Sequence, residues 1–383
     1  MFGFYRSSKH GRPLPDGMAA WVPVTIDTLP AAHPLRGGGT GDSQLIRAMR
    51  GERTRRRPIW FMRQAGRSLP EYRTLRAGTA MLDACLTPEL ATEITLQPVR
   101  RHGVDAAVFF SDIVVPLKLA GIGVEIVPGT GPVVADPVRT REQVAALPEL
   151  DPQALAPIEQ AVRDCVAQLG EVPLVGFAGA PFTLASYLVE GGPSRDHLRT
   201  KAMMLGDPQT WAALATWVGA TAATFLRAQI LAGASAVQLF DSWAGNLSSA
   251  QYAAGAAPFS AQVFAAVSDL AVPRVHFGVG TGELLPAMHT AGADVIGVDH
   301  RITLDQASRR LGGTVPLQGN IDPALLFAGE TALREHVLEV LAAGQAAPGH
   351  VVNLGHGVPP DTDPDVLTRL VEFVHEQPDP LGR

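Results

Sequence analysis

Short apolar runs and longer, helically spaced stretches alternate along most of this 383-residue chain. Residues 58–62 form a five-residue apolar run between polar flanks, the pattern of a strand buried on both faces of a parallel sheet. Seven further runs share that character: 104–110, 173–177, 235–240, 274–278, 294–298, 315–318 and 350–354. Helical signals lie between them. Ser43 is placed to cap a short helix through Met49, closed at Gly51. Thr87-Pro88 opens a helix toward Arg101, with a kink expected at Pro98 and a stop at Gly103. Residues 157–169 are helical, and Asp207-Pro208 opens a long helix in which Trp211, Leu214, Val218 and Phe225 share a face before Gly233 closes it. Residues 122–134, with Pro128-Gly129-Thr130-Gly131 at their centre, predict a β-hairpin.

Eight short strands separated by helices predict an α/β fold, a (β/α)8 TIM barrel with an inserted β-hairpin. A weak internal echo supports the count. His102-Gly103-Val104-Asp105, Ala232-Gly233-Ala234-Ser235 and Ala291-Gly292-Ala293-Asp294 each join a helix end to a strand, and those strands end at Asp112, Asp241 and Asp299. The alternative is an open doubly wound sheet. Its dinucleotide fingerprint is missing, because Gly278-Val279-Gly280-Thr281-Gly282-Glu283 puts a glutamate where the last glycine should stand.

Composition narrows the class. Hydrophobic content of 46% and aromatic content of 6% describe an ordinary globular chain with a sizeable core. A single domain is expected over 42–383. Residues 1–41 lack periodicity and a signal-peptide core, and are expected to be a disordered extension or to follow an upstream start, with Met18 another candidate. The formal net charge of -6 argues against a nucleic-acid or acidic-membrane partner, and no apolar run approaches the ~20 residues that span a bilayer. Cys85 and Cys165 are far apart, with neither a disulfide framework nor zinc-ligand spacing, so a reducing cytoplasm is expected.

The ends of the predicted strands carry the candidate chemistry. Arg63 and Gln64 follow the first strand directly, and Arg67, Arg73 and Arg76 come next, with Gly66 and Pro70 interrupting any simple helix. A guanidinium grips carboxylates or phosphates bidentately; charge alone fits a solvated loop and an anion site equally. The preceding Arg55-Arg56-Arg57 is expected to be solvated. Asp241, Asp299 and Asp322 fit helix caps at least as well as ligands. Asp112 differs, since Ile113-Val114-Val115 after it would bury a carboxylate lacking a partner. His356, between two glycines, is either a flexible-loop residue or one brought close to a ligand. Ser242 and Asn320 also stand at strand ends. No Cys–His or Ser–His–Asp constellation and no Walker loop is present.

Several of these segments resemble the uroporphyrinogen decarboxylase family of the haem pathway. Residues 58–73 look like its N-terminal signature, and Arg100-Arg101 with Phe109-Phe110-Ser111-Asp112-Ile113 like its aspartate segment. Gly179-Ala180-Pro181-Phe182-Thr183-Leu184 with Tyr187 and Glu190-Gly191-Gly192 is similar too. So are Phe240-Asp241-Ser242-Trp243-Ala244-Gly245, Gln318-Gly319-Asn320-Ile321-Asp322-Pro323 and Asn353-Leu354-Gly355-His356-Gly357. The likeness runs from about Asp42 to the C-terminus; Ser68 departs from it, standing where the family usually has tyrosine. The resemblance implies a cofactor-free and metal-free barrel, acting as a homodimer, that removes carbon dioxide from the four acetate side chains of uroporphyrinogen to give coproporphyrinogen. Carried over residue by residue, it implies substrate contacts at Arg63, Gln64, Ala65, Arg67, Arg76, Asp112, Tyr187, Phe240, Ser242 and His356. Among these Asp112 would be catalytic, with Arg63, Tyr187 and His356 as rival proton donors. A cobamide-linked methyltransferase, which would need zinc-binding His and Cys residues, and a tetrapyrrole carrier are the competing readings.

Overall fold

The structure is a computed structural model, and it describes residues 28–36, 39–52 and 54–377. Most of the stretch expected as an extension, 1–27, lies outside the described residues. The part of it that is described packs onto the domain. Leu29 and Leu35 are buried, His33 Nε2 donates to Ile230 O at 3.0 Å, and the Thr40 and Ser235 hydroxyls meet at 2.8 Å.

Seven of the eight predicted strands form one parallel sheet. They are β1 (Ala107–Val108), β4 (Leu174–Gly179), β5 (Ala236–Asp241), β6 (Arg274–Gly278), β7 (Val295–Gly297), β8 (Leu317–Gln318) and β9 (His350–Val351), in the order β1-β4-β5-β6-β7-β8-β9. Between β1 and β4 in the chain, β2 (Val124–Val127) and β3 (Gly131–Val134) pair antiparallel, with Val124 opposite Val134. All six residues of β4 are buried, as helices covering both faces of a parallel sheet require. The central register pairs Gly179 with Phe240 and Asp241 with Gly278, which brings the strand ends to one rim.

The helices start and stop where their sequences specify. Ser43 Oγ accepts from Ile46 N–H at the head of Gln44–Met49. Asp207 accepts from Thr210 N–H at the head of the 25-residue helix Pro208–Ala232, and Trp211, Leu214, Val218 and Phe225 are buried along it. The helix Pro88–His102 runs through Pro98 as a single element and ends at Gly103, whose φ of 64° suits a residue without a β-carbon. Among the described residues no helix is long and apolar enough to cross a membrane.

Residues 58–62 form only an isolated parallel bridge, Ile59 to Val352. The reason is visible in their amides. Trp60 N–H donates to Val352 O at 3.3 Å. The other three donate to side chains: Ile59 to Asp105 Oδ2 at 2.8 Å, Phe61 to Gln64 Oε1 at 2.9 Å, and Met62 to Asn353 Oδ1 at 3.0 Å. Side chains have replaced a strand ladder while leaving these donors satisfied. Ile59 O in turn accepts from Asp105 N–H, next to β1. The segment therefore touches both edges of the sheet, which must curl to allow it. Asp105 also binds Arg56 at 2.8 Å and His375 at 2.7 Å, and Arg57 is buried. The expectation that Arg55, Arg56 and Arg57 are all solvated is thus corrected for Arg57 alone; Arg55 and Arg56 are exposed, Arg56 while pairing with Asp105.

Candidate active site

Just beyond residues 58–62 the chain turns at Arg63, whose φ is +62°. An L-residue in the left-handed region costs roughly 1–2 kcal/mol, so the surrounding packing must hold it there. The Arg63 side chain is exposed and makes no ion pair among the described residues. It lies across Gly357, where an added β-carbon would stand 2.5 Å from Arg63 Cδ. Gly355 likewise lies against the His300 backbone. The two glycines flanking His356 are therefore close-approach positions, packed against Arg63 and His300.

Asp112, Tyr187 and His356 all lie within electrostatic reach of Arg63. Asp112 keeps an edge open to solvent but is otherwise enclosed by protein. That desolvation raises its pKa from the ordinary carboxylate value, against the opposing pulls of a Val114 N–H donor at 3.0 Å and the Arg63 charge. Burial, then the Asp112 charge, pushes the Tyr187 phenol up, so it stays protonated and serves as a hydrogen-bond donor at neutral pH. Burial and then Arg63 hold the His356 imidazole below its usual value, which leaves it neutral there. The arrangement is one desolvated acid and two neutral polar rings within electrostatic reach of an exposed arginine.

A second cationic element adjoins the first. Arg67, Arg73 and Arg76 line an open groove of about 640 Å³, with Tyr72, Thr79 and Asp361 among its other walls. The Arg76 guanidinium stands 5.5 Å from the centre of the Tyr72 ring, and Tyr72 packs edge-on against Phe110, in the segment that leads to Asp112. Asp112 is not part of the groove's lining. The acid at Asp112 and the arginine-lined groove are thus neighbouring but separate features, joined through Tyr72 and Phe110.

The remaining expected site residues divide. Phe240, one residue before the end of β5, makes edge contacts with Phe177 and Phe277 at 5.4 and 6.0 Å, and Ser242, half-buried, follows the strand at the same rim. Ala65 is half-buried in the arginine loop. The Gln64 side chain does not reach the recess. It is fully buried, accepts from Phe61 N–H and donates to Ala106 O at 2.9 Å, tying the arginine loop to β1. Gln64→Leu should lower stability by about 2–4 kcal/mol, because two buried backbone groups lose their partners. Urea unfolding midpoints measure this, and an unchanged midpoint would show the brace to be dispensable.

The aspartates at other strand ends act as braces. Asp322 accepts from Ala324 N–H at 2.9 Å at the head of a 3-10 turn, and Asp299 accepts from Gly280 N–H at 2.6 Å. Asp241 is buried and accepts from the Thr183 hydroxyl at 2.9 Å. Asn320 donates to Asp299 O and Ile302 O. Ser68 is buried with its hydroxyl unpartnered. Four further residues contribute that were not among the expected substrate contacts. Arg73 belongs to the groove, Trp243 packs on Tyr187, and His300 and Arg301 add to the field at His356. Arg73 stood within the cationic run; the other positions carry no spacing that marks them. Among the described residues no three His, Cys, Asp or Glu side chains gather as a metal site. Cys85 and Cys165 are both buried and free, and burial drives the Cys165 thiol up to about 11.

Fold and cleft define an α/β protein with one desolvated acid within reach of Arg63 and an adjoining groove lined by further arginines. Comparison with known proteins places it further. The family model described as Uroporphyrinogen decarboxylase (URO-D) matches residues 40–377, and the chain belongs to that family. The uroporphyrinogen decarboxylase of Arthrobacter sp. (strain FB24) is 67% identical over 338 residues, covering 88% of this chain and 98% of that protein. That of Leifsonia xyli subsp. xyli (strain CTCB07) is 62% identical over 373 residues, covering 92% and 99%. Among solved structures, a methyltransferase from Methanosarcina mazei superposes with a TM-score of 0.73 at 18% identity, over 87% of this chain and 97% of its own. That likeness concerns the fold alone.

Proposed function

We propose that this protein decarboxylates the four acetate side chains of uroporphyrinogen III, giving coproporphyrinogen III in porphyrin biosynthesis. Family membership over 40–377 supports the reaction class. The observation that carries the mechanism is the desolvated Asp112 facing unpaired Arg63 beside a groove of three further arginines. An octacarboxylate needs cations around its rim, and each charge-assisted hydrogen bond contributes ~1.5–3 kcal/mol. Arg67 and Arg76 hold carboxylates in the groove, with Gln64 and Ala65 shaping the loop. Phe240 and Ser242 contact the substrate from the end of β5.

Loss of carbon dioxide leaves an electron pair that must go somewhere. A proton added to the pyrrole carbon creates the sink: the C–CO2 bond breaks, its electrons enter the ring, and carbon dioxide departs. The exocyclic methylene then takes a proton to become methyl, and the ring proton is released. Positive charge develops on the macrocycle meanwhile. Asp112 accepts the inward pyrrole N–H groups and stabilises that charge where water is scarce. A guanidinium is a poor acid, so Arg63 serves as a carboxylate anchor. Tyr187 and His356 orient the reacting side chain, and one of them relays the proton.

We also infer that 58–62 serves as the eighth stave of a (β/α)8 barrel, with the β2–β3 pair as the inserted hairpin. The bonds of Ile59 to both sheet edges support this reading. A homodimer in the cytoplasm is inferred from the family resemblance, and two free buried cysteines accord with a reducing compartment. The methyltransferase reading is not favoured, because buried, strongly basic thiols make poor zinc ligands. Anaerobic incubation with uroporphyrinogen III should yield hepta-, hexa- and pentacarboxylate intermediates and then coproporphyrinogen. Tight product binding without carbon dioxide release would favour a carrier instead.

A further inference from the structure

The helix Pro181–Glu190 carries Thr183 and Tyr187 one turn apart, and positions i and i+4 share a helix face. Both residues meet Trp243, in the loop after β5. Thr183 Oγ accepts from Trp243 N–H at 3.3 Å and donates to the buried Asp241 carboxylate at 2.9 Å. The Trp243 backbone is thereby pinned through Thr183 to a charge inside the fold. The Trp243 ring packs on the Tyr187 ring, with centroids 4.1 Å apart and planes 38° from each other.

The same indole meets a third ring. His197 lies 4.4 Å from it at 37°, and also packs edge-on to Phe182 at 6.3 Å. His197 is buried, has a left-handed φ of 48°, and neither ring nitrogen has a hydrogen-bond partner. A buried imidazole without polar partners contributes as a flat ring. Tyr187 itself has two side-chain torsions to fix, and a ring held on one face is restricted in both.

We propose that Trp243 is a positioning residue that fixes the Tyr187 phenol over the reacting recess, supported by His197 and by the Asp241–Thr183 bond. It touches no reacting atom. This rests on the decarboxylase reading, and it assigns to the Asp241-Ser242-Trp243 segment a role besides that of Ser242. The consequence is specific: removing the indole should slow turnover only through displacement of the Tyr187 hydroxyl.

A double-mutant cycle on the full chain reads that dependence, using carbon dioxide release from uroporphyrinogen III. Trp243→Leu should lower kcat about tenfold with KM changed less than about threefold, since misplaced polar groups cost rate more than binding. Trp243→Phe, which restores a ring face, should recover activity to within about threefold of the unmodified protein. In a Tyr187→Phe background, which keeps the stack but lacks the hydroxyl, Trp243→Leu should cost less than about twofold. Equal losses in both backgrounds would overturn the proposal and leave Trp243 as packing. Unaltered kcat in Trp243→Leu would overturn it too. Unmodified protein that releases no carbon dioxide would instead remove the decarboxylase reading, and this inference with it.

Discussion

Replacing Asp112 with asparagine should reduce kcat/KM at neutral pH at least about 100-fold, the scale of losing a preorganised charge opposite developing charge. Asparagine keeps the oxygen that accepts from Val114 N–H, so the local turn survives the substitution. What disappears is the negative charge, and with it the stabilisation of a cationic macrocycle. Stability should move the other way. Desolvation raises the Asp112 pKa, so the charged form is held in the folded protein at a cost that a neutral amide escapes. The urea midpoint should stay level or rise while activity collapses. The pH profile supplies a second check. The acidic limb of kcat/KM reports the free enzyme's essential carboxylate, and it should lie above the ~4 of an ordinary aspartate. Near-unmodified activity of Asp112→Asn would end the assigned role.

The sequence pattern announced the parts of the fold that depend on local chemistry. Asp207-Pro208 and Gly233 bracket the long helix as their capping chemistry requires. The apolar runs at 173–177 and 235–240 became β4 and β5 because a near-continuous apolar run fits a sheet covered on both faces. Strand lengths were less legible. Residues 350–354 gave only His350–Val351 as strand; Val352 and Leu354 add isolated bridges to Ile59 and Ile321, and the Asn353 side chain bonds Met62 N–H. Such substitutions depend on a partner almost 300 positions away in the chain, which periodicity does not register. The same limit applied to the sheet interior, where Gln318 donates to Gln238 at 2.8 Å and Gln238 to the Met62 sulfur at 3.4 Å. Polar residues in an apolar run read as faults until their partners are seen.

The site was legible where one residue type carried the chemistry. A cluster of arginines in an acidic chain and an aspartate ahead of a β-branched run both stood out without any relative. Charge could not separate a substrate contact from a brace, however. Gln64 and Arg63 are adjacent, yet one is sealed under the loop and the other faces the recess. Only the backbone turn at Arg63 distinguishes them, and nothing in residue identity encodes a positive φ at an arginine.

That turn makes Arg63→Gly a discriminating substitution. Glycine adopts a φ of +62° without the β-carbon penalty, so the change should leave stability level or raise it by up to about 1 kcal/mol. Turnover should nevertheless fall at least about 100-fold, because the guanidinium that anchors a carboxylate beside Asp112 is gone. A second effect has a definite sign. Arg63 lowers the Asp112 pKa, so its loss raises that pKa further and moves the acidic limb of kcat/KM to higher pH. Arg63→Lys keeps the charge and the strained backbone while losing the bidentate fork. It should shift the limb little, yet still lose activity, since a point charge cannot reproduce paired N–H donors. Urea midpoints and pH profiles of the two variants separate strain, charge and geometry. A stable Arg63→Gly protein with unaltered kinetics would return Arg63 to an ordinary surface loop and leave Asp112 without its cation.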